Sequence, residues 1–468
     1  MLQLLKILSY VSFGSAVLLA VAFFGGDDAF SFSAVACASA LSGVIAALYA
    51  LMSGAKAGFM QRTSLVFAAL FFVFEAVALA NPETEFVRSS GVLQFTQNKC
   101  IGFLPSSVRD VEPWRSSLSA LSVFAAAICM FFAASVLFAS RAFFGFVSGA
   151  LAVVSVLASA VFIAEKISHV DKFWFLLDAG TSKFSGAFWY HAQGDAMYMA
   201  LMGFSAAVYA GAFAAGRVSV PKCALGLLGM VFPLAAVFCS DGSGGKIFAS
   251  AEFAVLLVLP AARVVGGVAV LRIFSALFAS FALSAAAFFA YVDFSEVPEA
   301  PFRGVGTVEN GRIHLWKIST DMLDSGGDIS RHVSGEPARL RHVLFGRGPA
   351  SYSMLAKRYF HADAASVNED YKDLKHGYKA PKYPHSYLLY ILFEYGAITF
   401  AAGLLWLALW RREVGRAVAR GSFAALAAFA SASAILCYGV FDIVLENICV
   451  CVITAVLFAA AVSAKDGQ

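Results

Sequence analysis

The stretch YPHSYLLYILFEYG, Tyr383 to Gly396, puts a histidine directly after a proline and at the head of a strongly apolar run. An imidazole titrates near neutral pH, so His385 is a candidate base. Six of the eight histidines fall between His314 and His385, among Arg312, Lys317, Arg331, Arg339, Arg341 and Arg347. The acids of that region nearly balance its bases. The question is therefore whether particular cations converge on one place.

Three stretches point to such convergence, and each also has an ordinary structural reading. In NGRIHLWK, Arg312 follows a turn-prone Asn-Gly and Trp316 comes one helical turn later; a helix cap with a surface arginine would look the same. ARLRHVLFGRGPASY carries Gly346 and Gly348 around Arg347 after a short apolar run, as a common loop would. In SDGSGGKIFASAEF, serines and glycines lead into a helix with Ser243 and Lys246 in its opening turn. Helix N-terminal amides and the dipole favour an anion there, although a hairpin with a snorkelling lysine fits too. It is not a Walker A loop, because Ser240 stands where the first glycine belongs.

These residues must be held by membrane helices. The chain is 60% hydrophobic and 14% charged, with a mean hydropathy of +0.77, against ~25% charge in soluble domains. That much apolar surface must face lipid, so the fold class is an all-α polytopic membrane protein. The net charge of +4 and the lack of basic runs give no sign of nucleic acid. Seven of the eight cysteines lie in or beside apolar runs and read as small hydrophobes; only Cys100 sits in a polar loop, and no metal spacing occurs. The expected spans are 5–24, 31–52, 63–80, 117–139, 142–164, 195–215, 223–240, 247–262, 266–291, 385–409, 422–441 and 446–463, about twelve in all. The first lacks a cleavage site and reads as a helix, not a signal peptide. Three blocks follow: helices 1–9 over 1–291, a long loop with short helices over 292–384, and helices 10–12 over 385–468.

Basic residues near span ends, densest at Arg411, Arg412, Arg416 and Arg420, put both termini in the cytoplasm. Loops 81–116, 165–194 and 292–384 then lie outside, the last forming a small ordered cap. Charges gather at this outer mouth, with Arg272 inside a span as the main exception. If 385–396 is one continuous helix, His385 and Gly396 share a face about 16 Å apart. Gly396 then serves close helix packing, and Glu394 points away from the histidine. His385 itself sits at the water interface, where a plain interfacial role is also open.

Taken in order and on one side of the membrane, PHSYLLYILFEYG, GRIHLWK, FGRGPASY and SDGSGGKIFA resemble the bacterial O-antigen ligases. Related to these are the O-antigen polymerases and protein O-oligosaccharyltransferases. The layout resembles that family as well: about twelve spans in a GT-C-like arrangement, with one long periplasmic loop before the last three. The resemblance implies metal-independent, inverting transfer of a glycan from undecaprenyl diphosphate to a lipid A–core sugar hydroxyl, with no cofactor. The place implied is the periplasmic side of the bacterial inner membrane, among membrane lipids. His385 and Arg312 would be catalytic, and Lys246, Arg347 and Ser243 would bind the diphosphate. Gly396, Glu394, Trp316, Gly346 and Gly348 would shape the motif. The sequence departs from the family at Lys246, where arginine is usual; lysine keeps the charge and loses the two-pronged grip on phosphate. A polymerase, a protein oligosaccharyltransferase and, more distantly, a polysaccharide or lipid transporter are the rival readings.

Overall fold

The computed structural model describes residues 1–22, 25, 29–55, 57–89, 92–109, 115–178, 184–213, 218–261, 265–291, 316, 319–320, 322, 336–355 and 384–463. Arg312 and most of the long loop lie outside the described residues. In hydrocarbon the backbone must satisfy its own hydrogen bonds, and the apolar runs accordingly become helices. These are α1 (Leu2–Ala22), α2 (Ala29–Met52), α3 (Phe59–Ala80), α4 (Arg115–Leu137), α5 (Arg141–Ile167), α6 (His191–Ala212), α7 (Val220–Cys239), α8 (Ser243–Leu257) and α9 (Gly267–Tyr291). A short α10 (Glu336–Phe345) precedes α11 (Tyr387–Ala419), α12 (Phe423–Phe441) and α13 (Ile448–Ser463). Small polar caps set several starts: Ser422 accepts from the Ala425 amide at 3.2 Å, and Asn447 Oδ1 from the Cys449 amide at 2.9 Å.

Helices occupy all twelve expected positions, but among the described residues nine are long and apolar enough to span. The other three are α6, α8 and α13. The 15 residues of α8 and 16 of α13 reach about 22–24 Å against a hydrocarbon core of roughly 30 Å. The 22-residue α6 is long enough, but Gln193, Asp195 and two tyrosines dilute its apolarity. All of α6 from Ala192 to Ala207 is buried, and it packs on α5, α7, α8, α12 and α13. It is therefore the axis of the bundle, shielded from lipid by its neighbours.

Among the described residues, the carboxyls of Glu75, Glu165, Asp195, Glu252 and Glu394 are buried within helices, and Glu252, nine residues into α8, is an exception to the expectation that charge sits almost wholly at the mouth. Glu75 in α3 is 1% exposed, and Glu252 in α8, 3% exposed, accepts from Ser431. Arg272 is exposed near the start of α9.

The described part of the cap joins loop 81–116 to residues 316, 319–320, 322 and 336–355; nearly all the rest of 292–384, where the sequence places the cap, lies outside the described residues. Strands β1 (Pro82–Ser89), β2 (Val92–Gln97) and β3 (Ser107–Arg109) make one sheet in the order β2-β1-β3, and β4 (Lys172–Phe173) pairs with β5 (Leu177–Asp178). Asn81 at the end of α3 ties the loop down, donating to the Ile101 and Pro105 carbonyls and accepting from the Ile101 amide. Phe86 and Val108 of the sheet share a small core with Met322, Tyr352, Leu355 and Phe393 of α11.

Candidate functional site

The ends of α1, α7 and α12 and the starts of α6, α8, α11 and α13 meet at one mouth. Asn447 bonds both the Gly25 carbonyl and, at 3.2 Å, Gln193 Oε1. His385 lies here, one residue ahead of the Ser386 cap of α11. The Ser386 hydroxyl donates to the Val440 carbonyl at 2.8 Å, which fixes the start of α11 beside the end of α12. His385 has φ 50°, a conformation uncommon for any residue but glycine. The Trp316 indole donates to the His385 carbonyl at 3.2 Å.

The imidazole is part of a three-residue cluster. Tyr190 donates its hydroxyl to Asp442 Oδ1 at 2.8 Å, and His385 Nδ1 stands 3.1 Å from the tyrosine oxygen and 3.4 Å from that carboxylate oxygen. The tyrosine proton is committed to Asp442. A neutral His385 therefore carries its hydrogen on Nδ1 and leaves the Nε2 lone pair free. The His385 side chain is 30% exposed, whereas Asp442 is fully buried. A buried carboxylate thus orients a ring whose other nitrogen has no described partner.

Beside it, α8 begins at Ser243 after the Gly242 cap, with Lys246 in its first turn as the sequence indicates. The turn already faces a buried carboxyl. The Asp195 carboxylate accepts from Ser240 and Ser185, each at 3.1 Å. Any Cβ at Gly242 or Gly245 would collide with it. Glycine is required at both places so that α8 can close on α6. Ser243 is exposed and Lys246 half-buried. Any diphosphate at this turn would lie beside the Asp195 carboxyl, with Lys246 as the cation of the same turn.

The Gly-x-Gly turn and the His385 helix form a latch. Residues 385–396 are not a continuous helix: Gly396 breaks α11 with φ 73° and ψ 175°. Gly346, at φ 73°, lies against that break, and a Cβ on either glycine would strike the other's backbone or its neighbours. The Arg347 and Gly348 amides donate to the Phe393 and Glu394 carbonyls at 3.1 and 2.9 Å. The Glu394 carboxylate accepts the Ala350 and Tyr352 amides at 2.8 and 3.1 Å. Close packing at Gly396 is thus observed, but against the cap's backbone and through a kink. HVLF belongs to a helix, α10, and does not form a simple apolar run.

Arg347 turns into the cap, 5% exposed. Its Nη2 donates to His342 Nδ1 at 3.0 Å and its guanidinium lies over the Phe393 ring. His342 Nε2 donates to Glu83 Oε2 at 2.6 Å, and Arg341 pairs with Glu83 Oε1 at 2.8 Å. Burial alone would raise the Glu83 pKa, but the His342 hydrogen bond and the Arg341 and Arg347 charges hold it at about 2. Burial lowers that of His342, which is neutral in spite of Glu83. This cluster is closed, and Arg347 braces it.

The structure therefore gathers His385, Trp316, Ser243 and Lys246 at the mouth and places Gly346, Gly348, Gly396, Glu394 and Arg347 in the latch. Sequence reasoning missed Tyr190, Asp442 and Asp195 as members of the site. The signal was present in the two acids, each lying within or at the end of an apolar run, where an ionisable residue needs a reason. No family model matches the chain, and no curated protein matches its sequence.

Proposed function

We propose that the chain is a membrane glycosyltransferase of the O-antigen ligase type. It moves a glycan from undecaprenyl diphosphate to a lipid A–core sugar hydroxyl on the periplasmic face of the inner membrane. The observation that carries this reading is the His385–Tyr190–Asp442 cluster, with Nε2 unengaged at the mouth of the bundle. The docking of the two resemblance motifs through Gly346 and Gly396 supports it.

In this reaction the acceptor oxygen bonds the anomeric carbon as the bond from that carbon to the diphosphate oxygen breaks. His385 Nε2 takes the hydroxyl proton, and Asp442 stabilises the imidazolium that results. Lys246 and Arg312 stabilise the charge that develops on the departing diphosphate. Attack opposite the leaving group inverts the anomeric centre.

The test is the undecaprenyl-linked glycan pool in a host with the gene deleted. Finished polymer accumulating on the lipid supports a ligase. Accumulated single repeat units indicate a polymerase, and an unglycosylated protein with intact lipopolysaccharide indicates a protein oligosaccharyltransferase. The transporter reading draws on the buried Glu252–Ser431 pair, since intramembrane carboxyls mark ion pathways. An unchanged pool, with transport lost in Glu252→Gln, would favour it.

A further inference from the structure

The other end of the bundle carries an open groove of about 640 Å3 between α1 and α5. Lys6, Tyr10, Gly14 and Leu18 line it from α1, and Ser140, Phe143 and Phe146 line it from the start of α5. Tyr10 and Phe143 stack at 4.0 Å to form its floor. A side chain added at Gly14 would meet nothing within 4 Å, so the groove is open along its middle.

The groove has a polar end and an apolar end. Lys6 lies at the polar end, and Arg141, the first residue of α5, adjoins the lining residue Ser140. Both are exposed. Among the described residues neither has an acidic partner, and the one described contact of Lys6 is the Tyr10 ring. The N-terminal amides of the 27-residue α5 add positive potential, with Ser140 capping only the Phe143 amide. From Lys6 to Leu18 the groove runs along twelve residues, about 18 Å, comparable to one leaflet of a ~30 Å hydrocarbon core. A cationic end, with Lys6 in the lining and Arg141 next to the lining Ser140 in sequence, on an acyl-length apolar channel matches an anionic lipid.

We propose that this groove binds one anionic glycerophospholipid. Lys6 and Arg141 hold its phosphate, and one acyl chain lies along Gly14 to Leu18. The site is separate from the mouth: Ala22, whose carbonyl accepts from the Trp174 indole, is sixteen residues beyond Lys6, about 24 Å along α1. The proposal is independent of the reaction assigned to the mouth. Binding there would brace α1, whose far end reaches that mouth, against α5.

The test is native mass spectrometry of the full chain in detergent, titrated with phosphatidylglycerol or with phosphatidylcholine of the same acyl chains. At about fivefold per cation, the wild type should retain phosphatidylglycerol up to roughly 30-fold better. Lys6→Gln should lose about fivefold of that preference, and Lys6→Gln with Arg141→Gln all of it. Gly14→Trp, whose Cβ meets nothing within 4 Å, should abolish retention of either lipid in the groove while the protein stays monodisperse. Equal retention of the two lipids by the wild type would overturn the proposal. So would a preference that survives the double substitution, or retention unchanged in Gly14→Trp.

Discussion

The mouth and the cap each hold a histidine beside a carboxylate, and the two are used in opposite ways. At the mouth, His385 spends one nitrogen on Tyr190 and Asp442, has no partner for the other among the described residues and is 30% exposed. In the cap, His342 is 3% exposed and spends both nitrogens, on Glu83 and Arg347. A ring with an open nitrogen can take a proton from a substrate; a ring with none can only hold parts together. The residue type is the same, and the difference lies in what the second nitrogen meets.

The largest expected effect sharpens this contrast. His385→Ala should cut glycan transfer by about 100- to 10,000-fold, the usual worth of a positioned base, with expression and insertion unchanged. His342→Ala should loosen the cap and leave residual transfer measurable per folded molecule. Single-turnover assays with purified donor, paired with gel filtration, separate the two outcomes. If His342→Ala lost chemistry and His385→Ala lost only folding, the assignment would be reversed. Asp442→Asn keeps the shape but not the charge. It should lose less than His385→Ala and move the pH profile of transfer, which a purely structural role would leave in place.

The latch comes next, because it joins the two regions. Gly396→Ala forces a φ of 73° on a residue with a side chain and drives that side chain into the Leu344–Gly346 backbone. Strain of ~1–3 kcal/mol at the dihedral adds to the collision, so the cap should leave its seat on α11. Gly403→Ala, in the same helix with nothing within 4 Å of the added carbon, is the matched control. Limited proteolysis of the cap should speed up in the first variant and not in the second; equal rates would remove the latch.

Much of the scaffold was legible in the sequence. Twelve helical positions and the break at Gly266–Gly267 follow from hydropathy and from glycine, and each is present. What local pattern could not give was contact between distant stretches. Asp442 lies 57 residues after His385 and Tyr190 lies 195 before it, and helical periodicity relates residues only within one helix. The same limit hid the kink: Gly396 breaks α11 because Gly346, fifty residues earlier, presses on it. Arg347 looked like a ligand-binding cation because sequence shows its charge and not the Phe393 ring and His342 that cover it.

The smallest effect tests whether the cap cluster is structural, through its pH dependence. Glu83 has its folded pKa depressed to about 2 from an ordinary 4.5. Its stabilisation is therefore full above about 4.5 and is lost as pH falls toward 2. The shift corresponds to about 3 kcal/mol at most, and less in practice because a quarter of the side chain is exposed. His342 is depressed below 6.5, so the undocked state takes its proton first and stability already begins to fall below that pH. Both groups make acid loosen the cap, the histidine first and the glutamate later. Cys100 reports on this directly, because Arg341 donates to its sulfur at 3.1 Å and undocking frees the thiol. Trapping with a pH-tolerant disulfide reagent should accelerate in two stages as pH drops from 7 to 3. His342→Gln should remove the upper stage and Glu83→Gln the lower. If the trapping rate were flat over that range in the wild type, the cluster would not be what holds the cap, and the contrast with the mouth would lose one of its sides.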